Sequence, residues 1–325
     1  MHPTRDQLVE LFGPALKESV DTAPYTWMRV GGPAEYLIEA RRTAQVVQAR
    51  ALCRRRGLPF VLLGGGSNVV IDDAGLAGLV LVNRCAHLHW DLDTRQVTVA
   101  GGYDLNRLVT AVSARGWGDL TFAAGIPGTV GGGLVGGAGA YGRLLVDVIR
   151  SARVLHPDGT VRQEPVAALG VGYRQSDALR RGDIVLAVTC GPFAPADVTV
   201  LAARIAEIKT DRAGKHPPPE LPCAGSFFKN LPPPAPGAQR IAAGRILDEC
   251  GVKGLRQGGA AVFARHANII VNTGGATAAD IHRLAERMAA RVARQRGIVL
   301  EREVRYLSNK ATIRQAVQQE GPKGG

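Results

Sequence analysis

Between residues 277 and 296 the apolar positions Ile281, Leu284, Ala285, Met288 and Val292 recur every three or four residues, with Arg283, Arg287, Arg291, Arg294 and Arg296 between them. That spacing predicts a helix with one buried stripe and a basic outer face. Thr277 is placed to cap its start and Gly297 to end it. Similar patterns predict helices at about 4–18, 43–56, 104–115, 197–211 and 240–250, with Thr43 and Asp104 as caps and Gly57 and Gly116 as stops. Shorter β-prone runs predict strands: "EYLIEA" (35–40), "PFVLLG" (59–64), "LVLV" (79–82), "QVTVA" (96–100) and "SARVLH" (151–156). "DIVLAVT" (183–189), "AAVF" (260–263), "NIIVN" (268–272) and "GIVLE" (297–301) continue the series. Asp158-Gly159 between two such runs reads as a hairpin turn. Helices and strands alternate irregularly, which fits an α+β chain of more than one domain better than a barrel.

Two stretches break the periodicity with glycine. In "LLGGGSNVVIDDAG" a strand runs into Gly64, Gly65, Gly66, Ser67 and Asn68. Glycine permits positive φ and close approach of a ligand, and successive N–H groups in such a loop form a concave anion site. Taken alone, the loop reads equally as a tight turn. The second stretch, "AGIPGTVGGGLVGGAGAYG" from Ala124 to Gly142, contains nine glycines. Each ordered glycine raises the entropy lost on folding, so so many of them call for an offsetting contact such as a large polyanionic ligand. Ile126, Pro127 and Val130 argue against a disordered linker. Neither loop carries a Gly-Lys-Ser/Thr ending or a GxGxxG opening a helix.

Composition narrows the chemistry. The 325-residue chain has a formal net charge of +12. The arginines fall on predicted helix faces, and the excess suits anionic ligands. Aromatic residues make up 5% and are not interleaved with a basic stripe, which argues against a nucleic-acid partner. Five scattered cysteines without a CxxC pair, and seven histidines without ligand spacing, argue against a disulfide framework or metal site. Redox chemistry here therefore calls for an organic cofactor. No apolar run approaches the roughly 18 residues of a membrane span, and "MHPTRDQLVELFG" lacks a leader's apolar segment. A cytoplasmic location without membrane insertion is the expectation, and no obligate protein partner is evident. Eight prolines between His216 and Pro236 mark a division of the chain or a rigid loop. The polar tail beyond Ser308 is expected to be mobile.

Further segments follow in a fixed order: "RVGGPAEYLIEA" (29–40), the two glycine loops, "YRQS" (173–176), "AGSFFKN" (224–230), "ECGVKGLRQGGAAV" (249–262), "HANIIVN" (266–272) and "LEREVR" (300–305). From Tyr25 to Tyr306 this order resembles the UDP-N-acetylenolpyruvoylglucosamine reductase family, flavoenzymes that form UDP-N-acetylmuramate for bacterial peptidoglycan. The absence of a long insertion between "YRQS" and "AGSFFKN" is similar to the family's shorter type. The resemblance implies a two-part FAD-binding domain of the vanillyl-alcohol oxidase type followed by a smaller α/β substrate-binding domain. It places an N-terminal helix at 1–20, the FAD-binding domain at 21–196 (subdomains about 21–85 and 86–196), the substrate domain at 197–308 and the tail at 309–325.

The same resemblance implies an oxidoreductase with non-covalent FAD, NADPH as hydride donor and UDP-N-acetylglucosamine enolpyruvate as substrate. It assigns Arg174 to the substrate carboxylate, Ser226 to proton donation and Glu303 to stabilising the enol. A guanidinium suits the first role because it stays charged and grips a carboxylate with two bonds. Glu301 shares a strand face with Glu303 if the segment is extended, and Glu303 is chosen because it directly precedes Val-Arg. Lys229 and Asn230 are assigned to the sugar nucleotide. Gly64 to Asn68, with Gly125, Ile126, Pro127, Gly128, Thr129 and Gly132, are assigned to FAD, chiefly through backbone N–H groups. No metal is implied.

Departures from the family pattern stand at Gly133 in place of alanine, Gly137 in place of asparagine, Met28 in place of phenylalanine and Thr121 in place of glutamate. The "LPPPAPGAQRIAAGR" segment is longer, and "YLSN" replaces the usual ending. Another flavoenzyme of the superfamily, oxidising an alcohol or sugar, is the alternative; a non-catalytic nucleotide-binding protein is a third.

Overall fold

The structure is a computed structural model and describes residues 3–309. The tail expected to be mobile lies, from residue 310 onward, outside the described residues. Helices are α1 (Pro3–Phe12), α2 (Thr43–Arg56), α3 (Leu105–Ser113), α4 (Val130–Val135), α5 (Asp177–Arg181), α6 (Val198–Lys215), α7 (Ala243–Glu249) and α8 (Ala278–Arg296). Strands begin with β1 (Lys17–Asp21), β2 (Pro33–Ala40), β3 (Phe60–Leu63), β4 (Val69–Ile71), β5 (Leu76–Asn83), β6 (Leu88–Asp91), β7 (Gln96–Ala100), β8 (Gly139–Ala140) and β9 (Arg143–Leu144). They continue with β10 (Ile149–Leu155), β11 (Val161–Pro165), β12 (Ile184–Cys190), β13 (Cys223–Ser226), β14 (Arg256–Gln257), β15 (Ala260–Val262), β16 (Ile269–Asn272) and β17 (Arg305–Leu307).

These elements form two compact units. Among the described residues, the first comprises 3–16, 38–65 and 81–212, the second 17–37, 66–80 and 213–309. The units interleave along the chain, unlike the sequential division at 196/197 read from the sequence. Pairing explains the second unit's composition: β4 lies parallel to β17, with Arg305 opposite Val69, and Asn272 Nδ2 donates to Met28 O at 3.2 Å.

In the first unit, an antiparallel sheet runs in the order β11-β10-β12-β7-β6. The β10–β11 hairpin turns at Asp158-Gly159, as expected: Gly159 has φ +92° and Asp158 Oδ1 accepts the Thr160 N–H at 2.8 Å. Leu105, Leu108, Val109 and Val112 of α3 are buried with Val97, Val99 and Val188 of the sheet. Asp104 caps α3 by accepting the Arg107 N–H at 2.8 Å. Thr43 does not cap α2. It lies inside the first turn, and Gln45 Oε1 instead accepts the Arg41 and Arg42 N–H groups, each at 3.0 Å.

In the second unit, the antiparallel order is β13-β16-β15-β14. The α8 stripe at Ile281, Leu284, Ala285, Met288 and Val292 is fully buried with Ala260, Val262 and Ile270. Thr277 Oγ1 accepts the Asp280 N–H at 3.0 Å, while Asp73 carboxylate oxygens accept Ala278 and Ala279 N–H at 2.7 and 3.0 Å. The first donors of α8 are thus satisfied by two side chains.

Two elements differ from the sequence reading. The helix expected over 4–18 ends at Phe12, because Gly13 takes φ +51° and Pro14 has no N–H to continue the ladder. Residues Lys17–Asp21 pair with β2 instead. "GIVLE" forms no strand. Leu300 is buried and Ile298 packs on the same core, while Val299 is 88% exposed, so alternating burial arises without a ladder partner. The strand begins at Arg305, where β4 supplies backbone partners.

Thr277→Ala is expected to destabilise the protein by about 1 kcal/mol. Urea unfolding followed by circular dichroism should show a lower midpoint with an unchanged slope.

Candidate active site

The glycine loops meet by backbone in the first unit. A Cβ on Gly64 would lie 2.6 Å from Thr129 Oγ1, and one on Gly65 would lie 2.8 Å from Gly128 Cα. Real Cβ contacts do not come so close, so these positions require glycine for packing. Gly125 and Gly128 take φ +74° and +117°. The second loop is tied down throughout: Leu105 N–H bonds Gly128 O at 3.0 Å, Val130 N–H bonds Tyr103 O at 2.9 Å and Gly131 N–H bonds Gly101 O at 2.8 Å. Asn106 clamps it, accepting the Gly125 N–H at 2.6 Å and donating to Ile126 O at 2.9 Å.

The positions assigned to FAD divide in consequence. Gly125 gives its N–H to Asn106, Ile126 gives its own to Ala123 O at 3.1 Å, and Gly132 to Thr129 Oγ1 at 3.3 Å. Pro127 has none to give. Loop closure has thus taken the donors of Gly125, Ile126 and Gly132. What they offer a ligand is close approach to a fixed backbone.

Gly66, Ser67 and Asn68 belong to the second unit. Gly66 has φ +65°, a Cβ there would meet Tyr25 O at 2.0 Å, and its carbonyl accepts the Trp27 N–H at 3.0 Å. Ser67 is partly buried. Asn68 Nδ2 donates to Glu303 O at 3.2 Å, and Asn68 O accepts the Arg305 N–H at 3.1 Å. One glycine-loop residue thereby fixes the backbone of the nominated glutamate.

Arg174 lies in the first unit at φ +54°, with Nη1 donating to Gly137 O at 3.2 Å and its guanidinium 5.4 Å from the Tyr173 ring centroid. Ser176 anchors the same turn, donating to Val135 O at 2.7 Å and accepting the Leu179 N–H at 3.1 Å. Arg212 at the end of α6 was not singled out from the sequence. Its Nε donates to Gly125 O at 3.1 Å, and burial, followed by the charge of Arg174, pulls its pKa below the usual arginine value while Tyr141 and Asp211 oppose this. Asn106 was missed as well. Each sits on an ordinary-looking helix, and only its reach to Gly125 distinguishes it.

Ser226 closes β13 opposite Ile269, after Gly225 at φ +75°. The next two residues are held by Asn268, which is 1% exposed: Phe227 N–H bonds Asn268 O at 2.7 Å, Phe228 N–H bonds its Oδ1 at 2.9 Å, and its Nδ2 donates to Phe228 O at 2.8 Å. On the other flank Glu303 N–H bonds Phe227 O, and Lys229 N–H bonds Glu301 O, both at 2.9 Å. Ser226 and Glu303 are thus brought to one braced segment. Glu301, with its side chain 74% exposed, is ion-paired with Lys229. The two glutamates differ in surroundings, since Glu303 is partly buried.

A cleft of about 620 Å³ is lined by Ser226, Asn230, Arg245, Arg265, His266 and Asn268 among others. It brings Ser226 and Asn230 together; Lys229 and Glu303 are not in its wall. Asn230 Oδ1 accepts the Ala243 N–H at 3.2 Å, which fixes its amide at the cleft edge. The cationic side chains Arg245 and Arg265 share this lining with Asp248 and Glu249, and Arg245 is ion-paired with Glu249 at 2.8 Å, so the wall carries both signs of charge. Burial, the largest cause, lowers the His266 pKa below 6.5, with Lys253 and Lys215 acting the same way and its own backbone and Asp248 opposing. The ring stacks on His216 at 6.2 Å between centroids.

Residues 217–307 match the C-terminal domain of UDP-N-acetylenolpyruvoylglucosamine reductase, and residues 34–164 match an FAD-binding domain. The chain is 38% identical over 281 residues to a UDP-N-acetylenolpyruvoylglucosamine reductase of Symbiobacterium thermophilum, covering 86% of this chain and 88% of that protein.

The chain belongs to the UDP-N-acetylenolpyruvoylglucosamine reductase family.

A second family relative, from Moorella thermoacetica, is 39% identical over 282 residues, again covering 86% and 88% of the two chains. The crystal structure of the reductase from Thermus caldophilus superposes with a TM-score of 0.74 at 31% identity, covering 89% of this chain and 98% of that one. The α+β architecture with an FAD-binding domain and a reductase C-terminal domain is therefore that of the family. Among the described residues no helix is long and apolar enough to cross a membrane.

Asn106→Ala removes both bonds to the second loop at a cost of about 1–3 kcal/mol. FAD affinity, measured by fluorescence titration of the stripped protein, is expected to fall by about tenfold. Below pH 6.5 the unfolded chain protonates His266 more readily than the folded one, so stability falls as pH drops through that value. His266→Gln should therefore lose less Tm than the parent between about pH 7.5 and 5.5 by scanning calorimetry.

Proposed function

We propose that this chain carries out the NADPH-dependent, FAD-mediated reduction of UDP-N-acetylglucosamine enolpyruvate to UDP-N-acetylmuramate, a step of peptidoglycan synthesis. The observation that carries this reading is Ser226, braced by Asn268 on one flank and residues 301–304 on the other, opening onto a cleft that also presents Arg245, Arg265 and Asn230. In this reading a hydroxyl proton donor shares one wall with Arg265, Asn230 and the Arg245–Glu249 pair.

When bound, FAD would supply the hydride chemistry that links NADPH to the enolpyruvyl group. The cofactor follows from the FAD-binding domain, and Gly64 and Gly65, packed against Thr129 and Gly128, would hold it with an ordered backbone. The chain's own residues manage the charge and the proton. Arg174 grips the substrate carboxylate, and its grip tightens as the enolate develops. Its left-handed backbone and Gly137 carbonyl anchor support this, because a pre-set guanidinium loses little freedom on binding.

Ser226 delivers the proton to C2. A serine hydroxyl is a weak acid, so the step needs a strongly basic carbon acceptor and a fixed geometry. Glu303 stabilises the enol form; its N–H bond to Phe227 O ties its position to that of Ser226. Asn230 holds the nucleotide sugar at the cleft. Lys229, paired with Glu301, acts on the diphosphate after exchanging that exposed partner for phosphate oxygens. We place the reaction in the cytoplasm, the compartment that holds NADPH and sugar nucleotides.

Ser226→Ala separates the two halves of the reaction. Stopped-flow bleaching of the flavin by NADPH should proceed as in the parent, while product formation falls by at least about 10²-fold. Product formed at the parent rate would remove Ser226 from the role.

A further inference from the structure

Conformation alone does not account for a glycine at position 137. Its φ is +58°, a region that asparagine tolerates better than other residues. Space does account for it. A Cβ at Gly137 would lie 2.0 Å from Gly172 O, 2.7 Å from Arg174 N and 3.2 Å from Gln175 N. All three obstacles are backbone atoms, so no rotamer change makes room.

The obstructing turn is the one that carries Arg174. It is closed on itself by Gly172 N–H to Gln175 O at 3.0 Å and Gln175 N–H to Gly172 O at 3.3 Å. It rests on the 135–137 backbone at two points. Gly137 O accepts from Arg174 Nη1 at 3.2 Å and from the Arg174 N–H at 3.5 Å, and Val135 O accepts from Ser176 Oγ at 2.7 Å. Arg174 itself holds φ +54°, which persists in a non-glycine residue only where the surroundings determine it.

We propose that Gly137 is a positioning residue for Arg174: its bare Cα lets the 172–175 turn seat on its carbonyl, and that seat, with Ser176 as second anchor, sets the direction of the guanidinium. This rests on the reading of Arg174 as the carboxylate grip. With the turn seated as it is in this chain, a Cβ at 137 must lift the turn and shift the guanidinium, while the contacts at Gly64, Gly65 and Gly128 are left in place.

The test compares holoenzymes of Gly137→Ala and Gly142→Ala. Gly142 has φ +77° with open space around its Cα, so it reports backbone strain without the contact. Gly137→Ala is expected to lose about 10²-fold in kcat/KM for the enolpyruvyl substrate, the scale of a misplaced catalytic group. Flavin content and flavin reduction by NADPH alone should match the parent, and Gly142→Ala should stay near the parent in every measure. In the Arg174→Ala background, Gly137→Ala should cause no further loss, since both act through one group. Equal behaviour of the two glycine variants, or losses that multiply in the double variant, would overturn the proposal. Parent-level turnover by Arg174→Ala would instead overturn the reading of Arg174. If Gly137→Ala yields no holoenzyme, Ser176→Ala carries the test, with a smaller loss of the same kind that vanishes without Arg174. Parent-level turnover in Ser176→Ala would then count against the proposal.

Discussion

Close approach of neighbouring atoms to bare glycine Cα positions is the constraint on which the first unit depends. Gly64 lies against Thr129, Gly65 against Gly128, Gly131 against Gly101 and Gly137 against the 172–175 turn. At each point a Cβ would stand under 3 Å from a neighbouring atom. Ordering so many glycines is entropically costly, and the fold offsets this with hydrogen bonds at nearly every step of the second loop. The loop is consequently a fixed surface. Its N–H groups are largely spent on that fixation, and what remains for a flat cofactor is shape.

The second unit solves a different problem, which is to hold a small hydroxyl in one place. Ser226 has little of its own to fix it beside a glycine at positive φ. Asn268 supplies the rigidity by bonding both backbone groups of Phe228 from a fully buried position. An amide buried this way is satisfied on both its polar atoms, so it adds order without an unpaired group. The 301–304 segment braces the other side through backbone bonds to Phe227 and Lys229 and through the Lys229–Glu301 ion pair.

Much of this was legible in residue patterns. The α8 stripe, the Asp104 and Thr277 caps and the Asp158-Gly159 hairpin follow from local periodicity and local side-chain chemistry, which a linear reading contains. Where competing local signals met, reading failed. Thr43 looked like a cap, but Gln45 reached back to do that work; "GIVLE" alternated like a strand, but it forms no ladder, its Glu301 carbonyl taking a single bond from the Lys229 N–H. The cleft cations Arg245 and Arg265 and the clamp Asn106 carried no distinguishing signal, because arginines and asparagines on helices and loops are usually solvated.

The amino-acid sequence by itself determined the family, the need for a cofactor and the order of the segments that bear the proposed Arg174, Ser226 and Glu303. These depend on residue identity and spacing along the chain. Only the tertiary structure decided which glycine N–H groups are spent, that Glu301 pairs with Lys229 while Glu303 is tied to Phe227, and why position 137 carries no side chain. Those facts depend on contacts between residues distant in sequence, such as Gly137 with Gly172 and Asn68 with Glu303, and distance along the chain holds no record of them until the backbone closes.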